Sequence, residues 1–464
     1  MTNHSLGKAF LTAQTWALLV VVLFTTRPLL AQPTPDSDPR VAKAVASVSE
    51  SRLRQLVQQL AAFGTRHTLS NSTSSTSGIG AARQWIFDEL KRTSPKLQVS
   101  FDTYQLAPQG RILREVELRN VIAVLPGRSP RRIYVTAHYD SVNAGGVASV
   151  TRPVGQAAVD PQMRADQEFD TPAPGANDNA SGTALTLELA RVLAESGMEF
   201  DATLVFALWA GEEQVSIGAH AHAARLAADK TTVVEAVFNS DIVGNSRGGN
   251  GVVDAESVRV YSEGPEDSMS RAIARYVQAR GAVYLPSHRV RLMARADRFS
   301  RGSDHMSFNQ LGFAGVVFRE ANEDFSRQHA QADVVEGIDF AYLAQNTRLS
   351  LASVASLAVA PPAPRVNDAK GASTIGRQPS GYDANLRWDP SPTAVTYRIY
   401  WRDTWTNDWQ HSQVVGNVTT VVLPNVSIDD FVFGVSAIGP SGSESLISPY
   451  VAVSQRLPDV KMAP

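Results

Sequence analysis

The chain has no cysteine among its 464 residues. That absence removes disulfides, thiolate metal sites and cysteine nucleophiles together, and leaves His, Asp and Glu as the strong metal ligands. An excess of one charge is also missing. Lys plus Arg number 43 and Asp plus Glu 45, for a net charge of −2. Nothing electrostatic therefore draws the chain to nucleic acid or an anionic membrane. The apolar run "TWALLVVVLF" at 15–24 is too short for a relaxed membrane span. Lys8 precedes it, and Ala31 in "PLLAQPTP" supplies a small residue near a plausible cleavage point. Residues 1–31 thus read as a signal peptide, with an uncleaved anchor as the alternative. After cleavage no stable span would remain, and the expected destination is secreted or periplasmic. An exported chain without cysteine fits a bacterial envelope or medium better than a disulfide-rich exterior.

What is present is enough for a large core, with 43% hydrophobic and 19% charged residues. The length predicts two to three domains. "PTPDSDPR" at 33–40 is a polar, proline-rich stretch within a linker over 32–44. Leu53, Leu56, Val57 and Leu60 then fall at helical spacing, as do Ala82, Trp85, Ile86 and Leu90. "TRHTLSNSTSSTSG" between them reads as a small-polar loop. From residue 120 the pattern changes to short β-branched runs, "NVIAVLPG", "RIYVTAHYD", "ATLVFALWAGEE", "EAVFNSDIVG" and "AGVVFRE". Helical stretches separate several of them, and 342–359 reads as a closing helix. This alternation predicts an α/β layered domain with a largely parallel sheet over 45–359.

"APPAPR" at 360–365 reads as a second linker, followed by an all-β unit over 366–457 and a tail over 458–464. Alternating strands are joined there by Gly, Pro, Asn and Ser turns, which predicts a small β-sandwich. Leu386 and Trp388 share one face, as do Tyr397, Ile399 and Trp401. The Leu-x-Trp strand and "GVSAIGPSGSES" resemble a fibronectin type III module, although Phe431 stands where many such modules carry a tyrosine. This unit shows no catalytic cluster, and its partner would be an extracellular or cell-wall ligand.

Each strand that can be followed in the α/β domain ends in polar residues. His138 and Asp140 end one, Glu212 and Glu213 another, and Asp241 a third, while "GANDNASG" puts Asp178 just before a helix. Ligand sites in open α/β sheets lie beyond the carboxyl ends of the strands. Singly, each residue has a plain explanation. Asp178 suits a helix start capped by Ser181, His138 suits a bond to backbone, and the acids suit solvated loops. Together they do not, because clustered carboxylates repel unless a cation neutralises them. With His and carboxylate ligands, zinc is the first candidate, and manganese or cobalt also fits.

"AHYDS", "PGANDNASG", "WAGEEQ" and "NSD" together resemble the secreted double-zinc aminopeptidases, relatives of glutamate carboxypeptidase II and glutaminyl cyclase, over roughly residues 45–358. The resemblance implies a three-layer α/β/α sandwich around a mixed, largely parallel sheet. It implies that His138 and Asp241 bind one zinc, that Glu213 and a late histidine bind the other, and that Asp178 bridges both. Glu212 would be the general base. Asp140, two residues after His138 and so on the same side of the strand, would accept the other imidazole N–H. For the late histidine, His329 with Asp333 matches the family's His-x-x-x-Asp context. His305 in "GSDHMSF" matches a pocket-lining segment, which makes Asp304 and His305 candidate substrate contacts. His67, His220, His222, His288 and His411 carry no motif. The resemblance also implies a cis peptide between Asp178 and Asn179. The stretch 143–172 is longer than simple family members need, and reads either as a surface loop or as a lid limiting substrate size.

The expected activity is hydrolysis of N-terminal residues from peptide substrates by an exported, two-zinc aminopeptidase. A carboxypeptidase or glutaminyl cyclase of the same fold is the alternative within the family. A non-catalytic adhesion protein is the alternative outside it.

Overall fold

The computed structural model describes Met1, 37–145, 166–229, 231–377 and 381–451. The expected signal peptide, the 458–464 tail and 146–165 of the 143–172 stretch lie outside the described residues.

Three helices open the described chain: α1 (Pro39–Ala46), α2 (Glu50–Ala61) and α3 (Gly78–Thr93). Ser49 caps α2 by accepting the Arg52 N–H, and the helix buries Leu53, Leu56, Val57 and Leu60 as their spacing predicts. Then follow β1 (Gln98–Leu106), β2 (Val116–Leu125), β3 (Arg132–His138), α4 (Ala180–Glu195), β4 (Thr203–Trp209), α5 (Ile217–Ala228) and β5 (Val234–Ser240). The domain closes with β6 (Ser257–Ser262), α6 (Met269–Tyr284), β7 (Arg289–Met293), α7 (His305–Asn309), β8 (Gly315–Glu320) and α8 (Phe340–Val359).

The strands form one mixed sheet in the order β1-β2-β4-β3-β5-β8-β6-β7. Its four central strands, β4, β3, β5 and β8, run parallel, whereas β1 with β2, β2 with β4, and β6 with β8 are antiparallel. Side chains alternate between two helical layers, as the pleat requires. Ile133, Val135 and Ala137 of β3 enter the main core with α2, α4 and α8. Tyr134 faces a smaller cluster with Ala219, Ala223 and Phe308 of α5 and α7. The central strands are thus covered on both faces, which is why they read as nearly unbroken apolar runs. Strands β1, β6 and β7 are additions to the sequence reading. The edge strand β7, "RVRLM", is only half-buried and carries no apolar run.

Parallel register sets the functional end of the domain. His138 pairs with Trp209, and Thr136 with Asn239. The residues that follow β3, β4 and β5 therefore emerge side by side.

Strands β9 (Ile375–Arg377), β10 (Asp383–Arg387) and β13 (Thr420–Ser427) form a three-stranded sheet. Opposite it, β11 (Thr396–Asp403), β12 (His411–Gly416), β14 (Phe431–Ile438) and β15 (Ser448–Pro449) form a four-stranded one. Leu386, Trp388, Tyr397, Ile399, Phe433 and Val435 fill the space between them, with Trp401 only partly buried. This β-sandwich is not loosely tethered. Buried Arg402 ion-pairs with Asp267, the Arg275 Nε donates to the Asn407 carbonyl at 2.7 Å, and Leu446 joins the main core. The 360–365 stretch is itself bonded, since Arg131 donates to the Ala360 carbonyl at 2.6 Å and Ser391 to that of Pro362 at 2.5 Å. Among the described residues no helix is long and apolar enough to cross a membrane.

Candidate metal centre

His138 is the last residue of β3, and its side chain is almost fully buried. Its Nε2 faces three carboxylates: Asp178 Oδ1 at 3.4 Å, Asp241 Oδ1 at 3.5 Å and Glu212 Oε2 at 3.9 Å. Asp241 follows β5, and Asp178 precedes α4. On the far side of Asp178 stands His329, with its Nε2 3.1 Å from Asp178 Oδ2 and 3.3 Å from Glu213 Oε2. Asp178 thus turns one oxygen towards each histidine. Three sets of ligand atoms gather within 4.8 Å: His138, Asp178 and Asp241; Asp178, Glu213 and His329; and His138, Glu212 and Glu213.

The spacing fits ligands around a shared ion. Zinc bonds of about 2.0–2.1 Å in tetrahedral geometry put ligand atoms about 3.3 Å apart, whereas direct charge-assisted hydrogen bonds would draw them to about 2.7–2.9 Å. His138 Nε2, Glu213 Oε1 and Asp241 Oδ1 are buried and have no hydrogen-bond partner among the described residues. Buried polar atoms left in this way call for a partner from outside the protein, and three such atoms converging here fit an ion. Imidazole nitrogen with carboxylate oxygen is a donor set that zinc takes.

The two adjacent acids differ in access. The Glu212 side chain is 15% exposed and that of Glu213 only 3%. Both lie in the turn after β4. Gly211 begins that turn at φ +74°, where a side chain would meet Ile217 at 2.5 Å. Burial pushes Glu212 up to about 7, helped by the charges of Asp241, Asp140 and Asp178 and opposed by His138. Burial with the neighbouring charges of Asp178 and Glu212 raises Glu213 well above the usual carboxylate range. Burial acts in the same direction on Asp178, but the facing imidazoles of His138 and His329 win and hold it low. Burial opposes the charge on His138, and Glu212, Asp140, Asp178 and Asp241 overcome it and raise its proton affinity.

Asp140 lies beside the His138 imidazole, as expected, and has a second set of partners. Strand β3 ends at His138, so strand alternation does not reach residue 140. The Asp140 carboxylate accepts the backbone N–H of Glu212 at 3.2 Å and of Glu213 at 3.1 Å, and the Thr68 hydroxyl at 3.3 Å. The Nδ1 of His138 lies 3.2 Å from the Asp140 backbone carbonyl and 3.5 Å from its carboxylate. Asp140 thus touches the His138 ring and also holds the Glu212–Glu213 turn. The peptide between Asp178 and Asn179 is cis. The cap of α4 is Asn179, whose side chain accepts the Gly182 N–H at 2.9 Å; Ser181 donates instead to the Asn177 carbonyl at 2.7 Å.

His305 does not join the ligand groups. It is fully buried, with Nε2 2.8 Å from the Ala296 carbonyl, and it has no open face for a substrate. Asp304 is also fully buried, and neither carboxylate oxygen is hydrogen-bonded among the described residues. His222 bonds Asp102, and His288 bonds Asn346, both inside the fold. His67 and Gln214 both bond Asp166, the first described residue after 146–165.

Two arginines beside the centre escaped the sequence reading. Arg319 of β8 is fully buried, and its Nη2 is 3.0 Å from Asp241 Oδ2. Its Nε and Nη2 fork onto Asp297 at 2.9 and 2.8 Å. Burial opposes ionisation of Asp241, and Arg319 then holds it well below the carboxylate range. One signal was legible: a charged pair, "RE", closing an otherwise apolar strand. Arg66 lies in the segment read as a small-polar loop and had no such signal.

Residues 120–354 match the family model described as Peptidase family M28. A probable zinc metalloprotease of Leptosphaeria maculans is 33% identical over 451 residues, covering 90% of this chain and 97% of its own. Among solved structures, LapB from Legionella pneumophila is similar at a TM-score of 0.53 and 18% identity, over 70% of this chain and 77% of that one. The glutaminyl cyclase of Porphyromonas gingivalis is similar at 0.50 and 18%, over 66% of this chain and 98% of that one. At these identities the structural likeness is one of fold.

Proposed function

Since the chain belongs to peptidase family M28, we propose that it is an exported, zinc-dependent exopeptidase with two metal ions, removing N-terminal residues from peptides. The observation that carries this reading is Asp178, with one oxygen towards His138 and the other towards His329. A carboxylate shared in that way is what a two-ion centre needs. Zinc as the metal draws support from relatives described as probable zinc metalloproteases.

His138 and Asp241 would hold one ion and Glu213 and His329 the other, with Asp178 on both. The bound ions supply Lewis acidity, which makes water a nucleophile near neutral pH. Glu212 takes the proton from the attacking water and returns it to the leaving amine. Its access suits that role. Asp140, through the two backbone N–H groups, keeps Glu212 facing the centre while Glu213 stays a ligand.

The peptidase domain would span 45–359. The β-sandwich over 366–457, with its three- and four-stranded sheets, would be a fibronectin type III-like module for an extracellular or cell-wall ligand. Export rests on the pattern of residues 1–31. Metal analysis together with turnover of aminoacyl-p-nitroanilides and of the same peptides with acetylated N-termini tests the reading. Two zinc ions per chain and cleavage of free N-termini only are expected. Equal cleavage of blocked peptides, or cyclisation of N-terminal glutamine without hydrolysis, would overturn it.

A further inference from the structure

Arg66 is fully buried, and its guanidinium donates to four backbone carbonyls and, among the described residues, to no carboxylate. These are Tyr139 at 2.7 Å, Leu60 at 2.9 Å, Pro174 at 2.6 Å and Gly175 at 2.9 Å. Tyr139 directly follows His138, and Pro174 and Gly175 lead into Asp178. The loop is pressed onto the guanidinium. Gly175 sits at φ +51°, and a Cβ there would meet the Asp178 carbonyl at 2.5 Å and Arg66 Nη2 at 2.8 Å.

Asp333 grips the next peptides of the same loop. Its carboxylate accepts the N–H of Asn177 at 2.9 Å and of Asp178 at 2.8 Å, and its carbonyl accepts that of Ala176 at 3.0 Å. Across residues 174–178, a cation therefore holds two successive carbonyls and a buried acid holds three successive amides. Arg66 ties this loop to the exit of β3, which carries His138. Asp333, four residues after His329, ties it to the loop that carries the second histidine. The three segments bearing His138, Asp178 and His329 are thus cross-braced by the protein alone.

A buried guanidinium without a bonded acid is costly. Burial lowers Arg66 to about 10, and the charges of Asp333, Asp140, Asp178 and Glu213 partly offset that loss. Arg66 is therefore a fixed positive charge next to carboxylates that otherwise repel one another. We propose that Arg66 and Asp333 are positioning residues that hold the Asp178 loop in its bridging pose before any metal arrives, and so set metal affinity. The inference rests on the two-metal reading above.

Two variants test it. Asp333→Asn keeps the size but replaces one acceptor oxygen with an NH2 group that cannot accept a backbone N–H. Arg66→Lys keeps the charge, but a single ammonium cannot reach four carbonyls. Zinc dissociation constants come from chelator competition, and melting temperatures are taken for zinc-loaded and metal-free protein. The expected result is zinc binding weakened about 10–100-fold in both variants, with the zinc-loaded melting temperature falling more than the metal-free one. Wild-type zinc affinity in either folded variant would overturn the proposal. So would equal falls in the two melting temperatures, the mark of a merely structural role. If one variant does not fold, the other decides. A wild-type protein that binds no zinc would instead sink the two-metal reading itself.

Discussion

Glu212→Gln separates the two adjacent acids most sharply. Glu212 belongs to neither of the two groups that share Asp178, and its Oε2 stands 3.9 Å from the His138 Nε2, the longest of the three carboxylate approaches to that nitrogen. The amide should therefore leave both ions in place and remove only the proton shuttle. Loss of a positioned general base costs about 10²–10⁴-fold, so turnover should fall by that factor while zinc content is unchanged. The same substitution should also stabilise the metal-free protein. Burial raises Glu212 from 4.5 to about 7. Below pH 4.5 the carboxyl is protonated both folded and unfolded, and the substitution changes nothing through charge. Between 4.5 and 7 the folded protein holds a proton that the unfolded chain has released, so wild-type stability falls as pH rises. Above 7 the full penalty stands, at most about 3.5 kcal/mol at about 1.4 kcal/mol per pH unit. Urea titration of metal-free wild type and variant at pH 4.5, 6 and 7.5 should show the variant gaining with pH, and steady-state turnover with metal analysis gives the other half. Near-normal turnover, or loss of one zinc equivalent, would refute the division of roles. A gap that does not widen with pH would refute the electrostatic argument.

Asp178→Ala should lose both zinc ions rather than one, since both histidines face its oxygens; metal analysis showing one retained ion would remove the bridge. Arg319→Met leaves one oxygen of Asp241 buried without its cation and removes the fork from Asp297, which among the described residues keeps only Arg298 at 3.4 Å, and should cost about 3–5 kcal/mol in urea unfolding; a loss below 1 kcal/mol would show that Arg298 suffices for Asp297. Truncation after Ala360 takes Leu446 out of the main core and Arg402 away from Asp267. It should lower the melting temperature while leaving zinc content and aminopeptidase turnover in place, whereas loss of turnover in a folded truncation would show that the module completes the site.

Much of the centre was legible in the chain alone. Strands β3, β4 and β5 are covered on both faces, so their apolar runs stand out, and a polar residue at the tip of such a run is conspicuous. His138, Glu212, Glu213 and Asp241 were visible for that reason, and Asp178 through the segment before α4. Edge strand β7 was not, because half-exposed strands need no apolar pattern. The hold of Asp140 on the Glu212–Glu213 turn and the Asn179 cap of α4 were not legible because both depend on where an element stops, and periodicity marks an end poorly. The placing of β8 between β5 and β6, the fork of Arg319 onto Asp241 and Asp297, and the grip of Arg66 and Asp333 on one loop belong to the tertiary structure alone. A pattern in sequence reports which face of an element avoids water. It carries no information about which distant backbone carbonyl will lie within 3 Å of a guanidinium, because that distance exists only once the layers have packed.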